Sequence, residues 1–236
     1  LEGVGCVIFD EFHERSLQAD LGLALVLDAR RHLAPELRVL VMSATLDGAA
    51  VARLLDDAPR ITAAGRSFPV ETRHATPLPG RRDEPPLDRA VAAAVRRALN
   101  EAEGDLLVFL PGAGEIRRVA EQLGQGTLPA GVTVLPLYGD LSKEDQDRAV
   151  RPGTPGQRRI VLATNIAETS LTIPGVQVVV DSGFERRARF DPATGMGRLE
   201  RVRISRASAD QRRGRAGRLG PGTCYRLWTE AEHRAL

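Results

Sequence analysis

The sequence is almost without lysine: of 33 Lys and Arg residues, only Lys143 is lysine and the other 32 are arginine. A phosphate-cradling loop of the form G-x-x-x-x-G-K-[ST] needs a lysine after a glycine. Lys143 stands in Leu141-Ser142-Lys143-Glu144, so the 236 residues contain no such loop. Cysteine is scarce as well. Cys6 and Cys224 lie too far apart for a metal-knuckle spacing and are too few for a disulfide framework. Both sit in apolar runs, which predicts two buried free thiols. No apolar run approaches the ~18 residues needed to cross a bilayer. The chain opens at Leu1 with no basic segment followed by an apolar one, so no secretory leader is visible. A cytoplasmic location without membrane contact is the expectation.

What is present is ordinary for a globular protein, with 42% apolar and 27% charged residues. The charge is unevenly spread. Between Asp181 and Arg218 there are eleven arginines and five acids, a local +6, and the total of +2 leaves the rest of the chain at −4. Arginine forks bind phosphate oxygens in pairs, which fits a polyanionic partner. A solvated charged face fits the same run.

Apolar strand-like runs alternate with segments of helical period, which indicates a parallel α/β architecture with strands buried on both faces. Strands are expected at Val4–Phe9, Leu37–Met42, Pro69–Arg73, Leu106–Leu110, Val132–Leu137, Ile160–Ala163 and Val176–Val180, and helices at Leu17–Leu33, Pro86–Asn100 and Glu115–Leu123. A boundary near Ala63–Gly65 divides the chain into residues 1–63, with up to three strands, and residues 64–236. The first piece is small for a doubly wound domain and begins abruptly on a strand. It is expected to be truncated at its amino-terminal side.

Four segments carry chemistry. An apolar strand ends in Asp10-Glu11-Phe12-His13-Glu14-Arg15. Carboxylates at the carboxyl edge of a parallel sheet lie where open α/β folds bind ligands, although adjacent acids there also cap helices. Ser43-Ala44-Thr45 follows the next strand, and its hydroxyls suit either a carboxylate partner or a cap. Thr164-Asn165-Ile166-Ala167-Glu168-Thr169-Ser170-Leu171-Thr172 gathers small polar groups of the kind that contact phosphates and sugars. Finally, Gln211-Arg212-Arg213-Gly214-Arg215-Ala216-Gly217-Arg218 spaces Gln211, Arg215 and Arg218 at i, i+4 and i+7 on one helical stripe. Such a trio can grip a γ-phosphate. Gly214 and Gly217 each weaken the helix by ~1 kcal/mol, which is reasonable where something approaches the backbone closely.

In this order and at these separations, the four segments resemble motifs II, III, V and VI of the DEAH-box (DEAH/RHA) ATP-dependent RNA helicases. Asp-Glu-Phe-His followed by Glu14-Arg15-Ser16-Leu17-Gln18-Ala19-Asp20 most resembles the bacterial HrpB-type branch. Gly65-Arg66-Ser67-Phe68-Pro69-Val70 looks like the entry to the second RecA-like lobe, and Leu107–Gly112 looks like motif IV. The resemblance implies two RecA-like parallel-sheet lobes. Residues 1–63 would be the carboxyl-terminal part of the first, and residues 64–236 a complete second lobe with a β-hairpin insertion. It implies Asp10 and Glu11 as the Mg²⁺ site, with Glu11 polarising the hydrolytic water. Gln211, Arg215 and Arg218 would reach the γ-phosphate across an interdomain cleft, and Ser170 and Thr172 would serve the nucleotide. His13, Ser43 and Thr45 would couple nucleotide state to domain movement. Thr164 and Asn165 would hold the nucleic-acid backbone. Phe184–Arg203, turning at Pro192-Ala193-Thr194-Gly195, resembles the family's strand-separating hairpin, with Arg186 and Arg187 as nucleic-acid contacts.

Four departures from the family pattern stand out. Phe12 replaces the alanine of the DEAH motif, as suits the HrpB-type branch. Val150 stands where many relatives stack an aromatic residue on adenine, and no acid for the ribose is found near Pro174, so ATP or another NTP is expected to serve. Motif I is absent from these residues. The chain is therefore expected to be a helicase fragment, acting as a monomer on RNA, with negligible turnover by itself. A non-catalytic RNA-binding module is the alternative. A metal-dependent nuclease using Asp10 and Glu11 has only Glu14 as a further acid nearby, and nothing else resembles a two-metal carboxylate set.

Overall fold

The computed structural model describes residues 3–14, 16–43, 48–63, 68–76, 85–154, 156–168, 171–191 and 195–236. Thr45, Ser170, Gly65–Ser67 and the hairpin turn residues Pro192–Thr194 lie outside them. The chain divides into two compact units, Leu1–Ala64 and Gly65–Leu236.

In the first unit, β1 (Cys6–Phe9) pairs in parallel with β2 (Arg38–Val41), in register from Cys6↔Arg38 to Phe9↔Val41. The crossover between them is α1 (Leu17–His32). Ser16 caps this helix by accepting a hydrogen bond from the Ala19 N–H at 3.0 Å. Asp20 in its first turn and Arg30, Arg31 and His32 in its last complement the helix dipole. A short helix, α2 (Gly48–Leu54), follows β2. Phe12, Leu23 and Leu55 form the buried centre, with Phe9, Leu27, Val39 and Val41 packed around them.

Two expectations fail in this unit. Its described residues form two strands, and each is covered on one face only: the sides bearing Ile8 (57% exposed) and Leu40 (45%) remain open. Cys6 shares that open side and is exposed, whereas Cys224 is buried as expected. A strand's composition reports apolarity, but whether a second layer covers it is settled elsewhere in the molecule.

The second unit is built on six parallel strands in the order β3 (Val70–His74), β10 (Gly222–Arg226), β7 (Val176–Asp181), β4 (Asp105–Phe109), β6 (Arg158–Ala163) and β5 (Val132–Leu137). Here two-sided burial is realised, because alternate side chains of a strand point to opposite faces. Leu106, Val108 and Leu110 enter one core with Val91 and Val95 of α3 (Leu87–Glu101) and Ile116, Val119 and Leu123 of α4 (Ala113–Gly124). Leu107 and Phe109 enter the other, with Val161, Val179, Cys224, Ala216 and Ala149 of α5 (Lys143–Val150). β5 lies at the sheet edge, where Pro136 is tolerated.

Between β7 and α6 (Arg206–Gly214) an antiparallel hairpin is inserted, β8 (Phe184–Asp191) and β9 (Met196–Arg203), in register from Phe184↔Arg203 to Asp191↔Met196. α7 (Glu230–Arg234) ends the fold with a capping box between Thr229 and Glu232. No described helix is long and apolar enough to cross a membrane.

Candidate nucleotide and nucleic-acid site

In the first unit, the acidic pair leaves the carboxyl end of β1. Asp10 is exposed, and its Oδ1 accepts the Glu11 N–H at 2.8 Å. Glu11 adopts the left-handed region (φ 48°), which a β-carbon disfavours. Its Oε2 lies 3.5 Å from Nδ1 of His13, whose side chain is 5% exposed. The Phe12 N–H donates to the Met42 carbonyl at 3.1 Å and the Met42 N–H to the Phe9 carbonyl at 2.8 Å. These bonds fasten the acidic turn to the strand end that carries Ser43, itself exposed. Asp10, Glu11, His13 and Ser43 are thereby gathered at one edge. Hard carboxylate oxygens on a strand end suit Mg²⁺, which takes one or two protein carboxylates and completes its shell with phosphate and water. No group of three or more His, Cys, Asp or Glu side chains able to hold a metal occurs among the described residues.

In the second unit, the polar segment leaves the carboxyl end of β6. Thr164 donates its N–H to the Leu137 carbonyl at 3.2 Å, and Asn165 opens a 3-10 turn (Asn165–Ala167) with its side chain exposed. The arginine helix then differs from expectation in detail. α6 stops at Gly214 and tightens into a 3-10 turn, Arg215–Gly217, so the i, i+4, i+7 stripe is not one continuous helical face. Arg215 is buried (5% exposed). Its Nε donates to the Glu168 carbonyl at 2.7 Å and its Nη1 to the Leu171 carbonyl at 2.5 Å. Arg218 is exposed and reaches the Thr172 hydroxyl at 2.7 Å. Arg215, Arg218 and Thr172 are therefore brought together, with both guanidinium groups on the loop after β6. Gln211 is half-buried.

Gly217 fits the close-approach argument and Gly214 does not. A β-carbon on Gly217 would stand 2.7 Å from both the Phe68 carbonyl oxygen and Val70 Cγ2, while one on Gly214 would meet nothing within 4 Å. The neighbour at Gly217 is the start of β3, joined by the Phe68 N–H to the Gly217 carbonyl at 2.9 Å.

The hairpin arginines are largely paired. Arg186 lies 3.4 Å from Glu115 and Arg187 2.5 Å from Glu185. Arg189 and Arg198 share Glu200 at 3.2 and 2.6 Å. Arg201 stacks over Phe184 at 5.1 Å. Glu185 and Glu200 already stand in the count from Asp181 to Arg218, so of these three acids only Glu115 lowers the excess. Val150 packs against a core.

The residue that sequence reasoning passed over is Arg212, 1% exposed. Its Nε donates to Glu168 Oε2 at 2.8 Å, and its Nη1 to Asp181 Oδ1 at 3.0 Å and to the Phe184 carbonyl at 3.3 Å. Its Nη2 lies 4.0 Å from Glu185, and its guanidinium stacks over Phe109 at 4.9 Å. Burial by itself would lower its pKa, but Asp181 and Glu168 outweigh burial and hold it above the usual arginine value. Nothing in its neighbourhood along the sequence marks it. Glu168, Asp181 and Glu185 meet it only through the fold.

Comparison with known proteins bears on the family and the fold. Residues 90–220 match the helicase conserved C-terminal domain family. The ATP-dependent RNA helicase HrpB of Escherichia coli K12 is 54% identical over 96% of this chain and 27% of its own length. The pre-mRNA-splicing factor ATP-dependent RNA helicase prp22 of Schizosaccharomyces pombe is 43% identical over 97% of this chain and 20% of its own. The crystal structure of the E. coli DEAH/RHA helicase HrpB superposes with a TM-score of 0.90 and 52% identity, over 100% of this chain and 29% of that one. The chain spans about a quarter of the length of the relatives it matches. Its α/β architecture is RecA-like. By motif order, sequence and fold, the chain belongs to the DEAH-box (DEAH/RHA) helicases and carries their conserved C-terminal helicase domain.

Proposed function

We propose that this chain forms part of an ATP-driven RNA helicase, in which NTP hydrolysis between two RecA-like lobes drives movement along a single strand. Residues 1–63 belong to the first lobe and residues 64–236 to the second. Asp10 and Glu11 hold Mg²⁺, and Glu11 orients the hydrolytic water. Gln211, Arg215 and Arg218 serve the γ-phosphate, with Ser170 and Thr172 beside the nucleotide. The bound metal supplies charge neutralisation at the phosphates. His13, Ser43 and Thr45 transmit nucleotide state, and the bonds from Phe12 and Met42 that join the two strand ends support this role. Thr164, Asn165, Arg186 and Arg187 contact RNA. The protein works in the cytoplasm as a monomer.

The observation that carries this reading is the junction of Arg215 and Arg218 with the loop from Glu168 to Thr172. It sets two cations against the polar segment that follows β6, and guanidinium groups suit phosphate oxygens. The test compares RNA-stimulated ATP hydrolysis by the 236-residue chain with that of a form extended on its amino-terminal side through a P-loop. Turnover is expected from the extended form and negligible turnover from the chain alone, which has no phosphate-cradling lysine loop. In the extended form, Arg215→Ala abolishes turnover and leaves RNA binding nearly intact. Equal RNA-stimulated turnover by both forms would contradict the assignment.

A further inference from the structure

The buried Arg212 ties together segments that the proposed mechanism treats separately. Its guanidinium holds the polar loop through Glu168. It also holds the turn from β7 into the hairpin from both ends, through Asp181 Oδ1 and the Phe184 carbonyl. That turn is fixed further: Asp181 Oδ1 accepts the Gly183 N–H at 2.9 Å, and the Gly183 carbonyl accepts the Ile204 N–H at 3.2 Å, so both strands of the hairpin are anchored at their base. Gly183 has φ +78°, and a β-carbon there would lie 2.8 Å from Trp228, which leaves the turn little freedom. The remaining arm reaches Glu185, 7% exposed, the second residue of the hairpin. Glu185 also accepts from Arg187. On the far side, Glu168 holds Arg212 by its carboxylate and Arg215 by its carbonyl.

From this network we propose that Arg212 and Glu185 are positioning residues that couple the arginine turn at Arg215 to the hairpin, so that movement of that turn is delivered to the hairpin base. Three carboxylates (Glu168, Asp181 and Glu185) face one buried guanidinium across three chain segments. Such an arrangement costs desolvation and is weak evidence for stability alone. Its geometric consequence is definite. A shift of α6 moves a charge that the hairpin root must follow or leave unpaired.

The inference rests on the helicase reading and is tested in the P-loop-containing form with a duplex carrying a 3′ overhang. Glu185→Gln removes one arm of the network and leaves those to Glu168 and Asp181. Unwinding is expected to fall about tenfold, with RNA-stimulated ATP turnover and the RNA concentration for half-maximal stimulation within about twofold of the parent. Glu185→Asp, which keeps the charge on a shorter stem, restores part of the unwinding. The same substitutions in the 236-residue chain, followed by emission of its single tryptophan, Trp228, and by the urea midpoint, report whether each variant is folded. Unwinding and turnover falling in parallel, or a defect that Glu185→Asp leaves unrelieved, overturns the coupling. A raised RNA requirement does so as well, because Glu185 would then act by holding Arg187 for RNA. A parent protein without turnover defeats the helicase reading itself, and the coupling falls with it.

Discussion

Gly214 and Gly217, three residues apart, are under opposite constraints. At Gly217 the start of β3 lies against the backbone, and a methyl group would overlap a carbonyl oxygen at 2.7 Å. Gly217→Ala is expected to cost about 1–3 kcal/mol, read as a lower urea midpoint at constant slope. Gly214 has helical dihedrals (φ −58°, ψ −20°) and open space around it. There Gly214→Ala raises stability by up to ~1 kcal/mol through helix propensity. The same pair of substitutions thus moves the midpoint in opposite directions. The two thiols separate just as cleanly. Cys6 is exposed, while burial and the nearby Asp181 push the Cys224 pKa up to about 12. One thiol should react with Ellman's reagent in the native protein and two in denaturant; rapid reaction of both in the native state contradicts the placement of Cys224.

Among the elements, α7 carries a pH dependence. His233 lies with its ring centroid 5.5 Å from that of His74 and 6.3 Å from that of Trp228, and Arg226 Nη1 is 3.2 Å from its Nε2. Burial first, and then Arg226, lower its pKa from 6.5; Asp210 opposes, while His74 and Arg206 add to the depression. The unfolded chain therefore binds a proton more readily than the folded one. Stability is unaffected above about pH 7 and falls as the pH drops below 6.5. Glu232 has a lowered pKa, chiefly from the Thr229 N–H, so its contribution is lost in a separate, more acidic window below 4.5. Urea titrations at pH 7.5 and 5.5 monitored by Trp228 emission should show the first loss, and His233→Asn should flatten it. A difference that survives this substitution would place the titrating group elsewhere. At the opposite, amino-terminal edge of the sheet, Arg159 and Asp105 form a buried pair at 2.6 Å. Asp105→Ala strands the guanidinium, and a loss of about 3–5 kcal/mol is expected in the urea midpoint.

For the whole molecule, the two units differ in how completely they bury their strands. Residues 65–236 contain both cores that flank the six-stranded sheet. Residues 1–64 contain one small core and leave Ile8, Leu21, Leu25 and Leu40 exposed. Residues 65–236 expressed alone are expected to unfold in one cooperative transition. In the complete chain, amide protons of β4, β6 and β7 should exchange orders of magnitude more slowly than those of β1 and β2. Comparable protection in both groups would mean that the open face of β1 and β2 is not open in solution.

Much of this was legible in the chain. Strand and helix identity follow from apolar periodicity, a local property. The family resemblance follows from residue types at fixed separations, so Asp10, Glu11, Thr172, Arg215 and Arg218 could be named from text. Other features depended on what lies across space. The apolar run around Cys6 reads like the one around Cys224, yet one has a second layer against it and the other does not. The arginine surplus between Asp181 and Arg218 is lowered by Glu115, Glu168 and Glu232, which meet Arg186, Arg212 and Arg203 across the fold. Arg212 became distinct from its neighbouring arginines only when three carboxylates from separate segments converged on it. By itself the sequence determined the elements, their order and the candidate chemistry, because these depend on neighbours along the backbone. Tertiary structure alone decided burial, ion pairing and which arginine stands among carboxylates, because desolvation and Coulomb energy depend on distance through space.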